Sequence, residues 1–268
     1  MKRIAIFGGT FNPVHIEHVN TAVAAIKELG LDKIIIVPTF LPPHKNVAPA
    51  NVADRINMLK IAFKSVPQAE ISDFEIANGG KSYSYITAEH FKAEYPRDEL
   101  FMIIGGDMLI DFKTWREPYR ILSAVRLAVV SREDYNLDVV KEREYFNKTF
   151  GLDFTMLSFI GKTVSSTEIR TYLALGLKPD GVTDEVYEYI INHGVYAPDK
   201  YQKYILDKLP EKRVIHTANV VVTAMKKAKE LNLDCEKVRV SATLHDCAKY
   251  DSPDNYKEFF CRATFRHP

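Results

Sequence analysis

The 268-residue sequence predicts a doubly wound α/β fold with a mainly parallel sheet, followed by a short all-α segment. Three observations predict it. Short β-rich runs alternate with helical patterns over the first two thirds of the chain, the signature of crossover units. The most apolar runs, KIIIVP (33–38) and LFMIIG (100–105), suit strands covered on both faces. After HGVYAP (193–198) strand signals stop and helical stretches alone continue.

In chain order, strands are expected at 3–7, 33–38, 70–76, 100–105, 126–131 and 154–159. Helical patterns fall near 14–29, 53–65, 84–94, 139–149, 166–175 and 184–193, with Gly30 placed to end the first. Two longer helical stretches follow, about 201–231 and 237–249. Pro198 marks the boundary, which gives a first domain over 1–197 and a helical segment over 198–268. Ligands of a doubly wound sheet bind beyond the carboxyl ends of its strands, where Gly8, Gly9, Gly105, Gly106 and Asp107 would all lie.

Composition narrows the possible partners. A formal charge of +1 argues against a general nucleic-acid binder, so an anionic ligand must be held by local geometry. Cys235, Cys247 and Cys261 form no CxxC pair and leave an odd thiol in any disulfide scheme, which fits a reduced, cytoplasmic protein. The N-terminus enters a strand after two residues, and no apolar run nears the roughly 18 residues of a membrane span. No signal peptide, membrane anchor or membrane partner is expected, and the oligomeric state is left open.

Chemistry concentrates in GGTFNPVHIEH (8–18). Two glycines end an apolar strand, Asn12 can cap the next helix, and Pro13 suits its first turn. Amide groups and the positive end of a helix dipole then face the strand's carboxyl edge, an arrangement that handles phosphate. His15 and His18, three apart, share one helix face. SSTEIR (165–170) reads as a second capped helix start, with hydroxyls and amides presented to an anion and Arg170 one turn on. Each pattern alone also fits an ordinary cap or a packed histidine.

Together the two segments resemble the GGTFDPxHxGH and SSTxIR signatures of the HxGH nucleotidyltransferases, enzymes with a Rossmann-like sheet. Within that superfamily, PPHK (42–45), SYS (82–84), GGDMLIDFKTWREP (105–118) and DGVTDEVYEYIINHGVY (180–196) resemble the bacterial nicotinate-nucleotide adenylyltransferases, over about residues 1–196. The resemblance implies transfer of the adenylyl group of ATP to nicotinate mononucleotide, giving nicotinate adenine dinucleotide and pyrophosphate in NAD biosynthesis. It assigns the Gly8, Gly9, Thr10 and Phe11 backbone to the phosphates, and His15 and His18 to α- and β-phosphate oxygens. Lys45 would neutralise a substrate phosphate, Asp107 would hold adenosine, and Ser165, Ser166, Thr167 and Arg170 would grip the β- and γ-phosphates. Tyr83, Ser84 and Trp115 would receive the mononucleotide, with Lys45 on its phosphate and Trp115 stacked on the pyridine ring. Mg²⁺ would ride on ATP. Other acceptors used by related enzymes, such as phosphopantetheine, FMN or glycerol phosphate, stay as alternatives.

Glu17 departs from the pattern, standing where the signature has glycine. Pointing inward it would repel a polyphosphate; two residues from His15, it is expected to point aside, and Glu17→Gly to be neutral or to tighten ATP binding. The tail carries His216 in KRVIHTANV and His245–Asp246 in ATLHDCAKY, which resemble the opening of an HD-type phosphohydrolase domain, similar to the symmetrical diadenosine tetraphosphate hydrolases. His216, His245 and Asp246 would ligate iron or manganese. HD domains take further ligands from later helices, so this segment is read as incomplete. It could be a metal-dependent dinucleoside polyphosphate hydrolase, or an interaction element without chemistry.

Overall fold

Six strands form one sheet in the order β3-β2-β1-β4-β5-β6, every neighbouring pair parallel. They are β1 (Arg3–Gly9), β2 (Lys33–Pro38), β3 (Ala69–Ile71), β4 (Glu99–Gly105), β5 (Arg126–Arg132) and β6 (Thr155–Gly161). This computed structural model describes residues 1–42, 51–133 and 138–249. The chain divides into two compact units, the first Met1–Ser166 with Gly181–Val195, the second Thr167–Asp180 with Tyr196–Pro268.

In the first unit, Ile4 to Phe7 of β1, Ile34 to Val37 of β2 and Leu100 to Ile104 of β4 are all buried, because helices cover both faces of the sheet centre. Edge strand β6 instead alternates between exposed and covered positions. The covering helices are α1 (Ile16–Leu29), α2 (Val52–Ala62), α3 (Phe74–Asn78), α4 (Ser84–Glu94), α5 (Gly106–Asp111), α6 (Pro118–Ala124), α7 (Val139–Phe150) and α9 (Asp184–Asn192). One core joins Ile4, Ile6, Met102, Ile104, Leu127 and Val129 of the sheet to Phe91 of α4, Ile121 of α6 and Phe146 of α7. Strand order reverses between β1 and β4, so the carboxyl ends of those two strands flank the crevice where such sheets receive ligands.

Helix α8 (Ser166–Ala174) starts on the last residue of the first unit and continues in the second. With α10 (Lys200–Lys208), α11 (Glu211–Glu230) and α12 (Cys235–Leu244) it completes the helices of the described residues, and Leu175, Ile205, Leu209, Val214 and Ala218 form the second unit's core. Asp199 caps α10 by accepting from Tyr201 and Gln202 amides and also pairs with Arg239 at 2.7 Å. Among the described residues, no helix is long and apolar enough to cross a membrane.

Several boundaries differ from the sequence reading. The strand expected over 70–76 ends at Ile71, because the Ser72 hydroxyl accepts the Phe74 amide and turns the chain into α3. The stretch 201–231 is two helices, since Pro210 lacks the amide that would carry α10 onward. Helices α5 and α6, of 6 and 7 residues, are too short to show a helical period. The first helix begins at Ile16 with His15, not Asn12, at its N-cap. The reason is Phe11, which at φ +46° turns the chain so that its ring is buried against Phe7 and His18, leaving Asn12 to Val14 in the turn.

Candidate active site

The glycine-rich end of β1 and the start of α1 are fixed mainly by the backbone. Gly9 must lack a side chain, since a Cβ there would come within 2.9 Å of the Phe11 ring. Arg55 of α2, fully buried, donates to the Thr10 carbonyl at 2.9 Å and the Thr39 carbonyl at 2.8 Å, tying the loop after β1 to the loop after β2. At the helix mouth the Ile16 amide is satisfied by the Gly181 carbonyl at 2.8 Å. The amides of that first turn are thus not all open to a ligand.

His15 is buried and His18 half-buried, their rings stacked with centroids 3.6 Å apart. Burial, then the positive charge of Arg132, lowers the pKa of His15 to about 4. Burial, then His15 and Arg132, pushes His18 well below the ordinary histidine value. Both rings are therefore neutral at pH 7. The His15 amide donates to Nδ1 of His18 at 3.1 Å, so the proton of neutral His18 rests on Nε2. That leaves an N–H donor for an oxyanion and no proton to give up.

Glu17 turns aside from this face and has partners there. Its Oε2 accepts the Lys162 amide at 2.8 Å and its Oε1 accepts from Asn20 at 2.9 Å. Further along α1, the Glu28 carboxylate accepts the Ser158 and Phe159 amides at 2.6 and 3.0 Å, where β6 breaks register with β5. Two acids of one helix thus hold the irregular edge strand that leads into the second signature. There the Ser166 hydroxyl reaches the Pro13 carbonyl at 3.4 Å, and Ser165 is half-buried just before it.

Between β1 and β4 lies a cavity of about 600 Å³. Gly8, Gly9, Thr10, Asp107, Tyr83, Ser84 and Trp115 all line it. Asp107 stands in the first turn of α5, folded back over Gly105, whose missing side chain makes the room. Trp115 is half-buried against Phe112, ring centroids 5.2 Å apart. The histidines do not line this cavity; the ring of Phe11, packed edge-on against His18 at 4.9 Å, stands beside them. Lys45 lies outside the described residues.

In the second unit, the guanidinium of Arg170 donates to the Thr167 hydroxyl at 3.3 Å, and Lys229 of α11 reaches the same oxygen at 3.5 Å. The metal candidates His216, His245 and Asp246 also meet, their ligand atoms within 4.8 Å of one another. The Ala242 carbonyl lies 2.7 Å from Nδ1 of His245 and holds the proton there, so Nε2 keeps its lone pair, facing Nε2 of His216 at 3.3 Å. Two imidazoles and a carboxylate are a fitting donor set for a transition metal. Against it, Arg213 pairs with Asp246 at 3.2 Å, a cation already beside the carboxylate.

Sequence reasoning missed Arg132, Arg55, Glu75 and Lys229. Glu75 lines the cavity, accepts the Thr87 hydroxyl at 2.6 Å, and has its pKa raised by burial. No periodicity or motif marks these positions, because each matters through a partner far away in sequence.

A family model described as cytidylyltransferase-like matches residues 6–172, and one for the HD domain matches residues 213–267. A probable nicotinate-nucleotide adenylyltransferase of Clostridium tetani is 37% identical over 73% of this chain and 100% of its own length. One of Endomicrobium trichonymphae is 36% identical with the same coverage of both chains. The solved structure of Plasmodium falciparum nicotinic acid mononucleotide adenylyltransferase complexed with NaAD covers 73% of this chain and 98% of its own, at 19% identity and a TM-score of 0.59, a likeness of fold.

Proposed function

The chain belongs to the nicotinate-nucleotide adenylyltransferase family, and from that premise we propose that it joins ATP and nicotinate mononucleotide into nicotinate adenine dinucleotide, releasing pyrophosphate. The observation that carries the reading is one cavity lined at once by the glycine-rich end of β1, by Asp107 and by the aromatic side chains of Tyr83 and Trp115. Phosphate-binding backbone and ring-binding side chains are thus available to a single dinucleotide.

The reaction is an in-line displacement. A phosphate oxygen of the mononucleotide bonds to the α-phosphorus of ATP, and the bond from that phosphorus to the α,β-bridging oxygen breaks with pyrophosphate departing. No covalent intermediate with the protein is required, so positioning and charge stabilisation supply the acceleration. The Gly8 to Phe11 backbone holds phosphate oxygens. His18 donates from Nε2 to an oxygen on which charge grows, and His15, stacked on it, does the same. Ser165, Ser166, Thr167 and Arg170 retain the β- and γ-phosphates, and Lys45 neutralises the acceptor phosphate. Asp107 binds the adenosine, while Tyr83, Ser84 and Trp115 seat the pyridine nucleotide. Bound with ATP, Mg²⁺ would neutralise the pyrophosphate.

A second reading concerns the HD segment. His216, His245 and Asp246 would hold one divalent ion, iron or manganese, and such an ion would supply an activated water for phosphoanhydride hydrolysis. The fixed tautomer of His245 favours it.

Pyrophosphate release from Mg·ATP tests the main reading, with nicotinate mononucleotide, nicotinamide mononucleotide and phosphopantetheine as parallel acceptors. Strong preference for the first is expected. Turnover with none of them would overturn the assignment.

A further inference from the structure

We propose that Arg116 makes the pyridine site selective for the acid, its guanidinium attracting the ring carboxylate of nicotinate mononucleotide and repelling the uncompensated ring charge of the amide analogue. The inference rests on the transferase reading above. Glu75, Asp107 and Asp111 line the cavity, and Arg116 is the one cation among its described lining residues. Arg116 directly follows Trp115, and its guanidinium carbon sits 4.7 Å from the centroid of the Tyr83 ring. The cation is therefore held against an aromatic wall of the same cavity.

The two mononucleotides differ in ring charge. An N-ribosyl pyridinium is positive; a carboxylate at C3 cancels that charge and places a negative end on the substituent, whereas a carboxamide leaves the ring positive. Lined by three acids alone, the cavity would favour the amide form. Arg116 places a positive charge on the wall formed by Tyr83 and Trp115. Burial of Glu75 favours its neutral form and so weakens the opposing field. Guanidinium geometry also allows a two-point hydrogen bond to a carboxylate, which a carboxamide can accept only through one oxygen.

The test compares kcat/KM for nicotinate and nicotinamide mononucleotide in the wild type, Arg116→Gln and Arg116→Lys, at low and high ionic strength. Arg116→Gln should lose roughly tenfold with the acid, chiefly in KM, and lose nothing with the amide, as expected for a partly screened charge contact. Arg116→Lys should keep part of the preference, and added salt should narrow it in the wild type. An unchanged acid-to-amide ratio in Arg116→Gln, or equal losses with both acceptors, would overturn the proposal while leaving the transferase reading intact. A wild type active with neither acceptor would overturn the transferase reading instead.

Discussion

Two histidine pairs sit in opposite surroundings in this chain, and the difference lies in where the neighbouring carboxylate goes. His15 and His18 are stacked and largely enclosed, with Arg132 adding positive charge, while the acid between them, Glu17, is drawn away to the Lys162 amide. His216 and His245 are exposed, meet through Nε2 atoms, and have Asp246 turned toward them, its Oδ2 3.9 Å from His245. The first pair is neutral, lacks a competing anion and offers the Nε2–H of His18, which suits phosphate. The second offers lone pairs and a carboxylate, suited to a cation. The same residue type is thus set in opposite surroundings, according to whether the neighbouring acid is drawn away, as Glu17 is, or turned toward the rings, as Asp246 is.

The largest expected effect breaks the comparison in one stroke. His18→Ala should lower kcat for adenylyl transfer by about 10² or more, as for a lost transition-state donor, and should lower the thermal midpoint by roughly several degrees because the His15 amide loses its acceptor. His245→Ala should leave that kcat unchanged. Steady-state kinetics beside thermal melts checks both, and equal losses would mean that the two pairs do not serve separate chemistries.

A smaller effect tests the diversion of Glu17. Neutrality of Glu17→Gly, suggested by spacing alone, no longer follows, because the substitution strips the Lys162 amide of its acceptor. About tenfold loss in kcat/KM for ATP is expected, with roughly 1–3 kcal/mol of stability lost in denaturant melts from the orphaned amide. Glu17→Gln, which keeps an acceptor oxygen, should recover most of both.

The mildest test is pH. An unfolded histidine takes up its proton near the ordinary value of about 6.5, whereas folded His15 does so only near 4. Between those values the unfolded chain binds more protons, so stability is full above the unfolded value and falls as pH drops toward 4. The thermal midpoint should fall by several degrees between roughly pH 7 and pH 5, the direction set by linkage. His15→Asn should flatten that slope, and an unchanged slope would mean that the ring is not held neutral by the fold.

Much of the architecture was legible because it is written in local patterns. KIIIVP forms a strand over its full length, 33–38, since buried β-branched runs leave little choice of conformation. The start of α1 was misplaced by two residues, because Asn12 is a good cap by type but the burial of Phe11 uses those residues as a turn. At the site, Gly8, Gly9 and Asp107 follow from their places at strand ends, and Tyr83, Ser84 and Trp115 from the family resemblance; all six line one cavity. Arg55 could not, since a buried arginine announces itself only through the carbonyls of Thr10 and Thr39 that it joins.

The sequence by itself determined the alternating α/β plan, the two signature segments and the helical tail, because strand and helix periods and cap chemistry act over a few neighbouring residues. Tertiary structure alone decided that the paired histidines are neutral, that Glu17 is held by the Lys162 amide beside β6, and that Arg116 lies against the ring of Tyr83. Desolvation, a hydrogen bond across 145 residues and the summed charge of a cavity wall depend on what lies nearby in space, which no local pattern encodes.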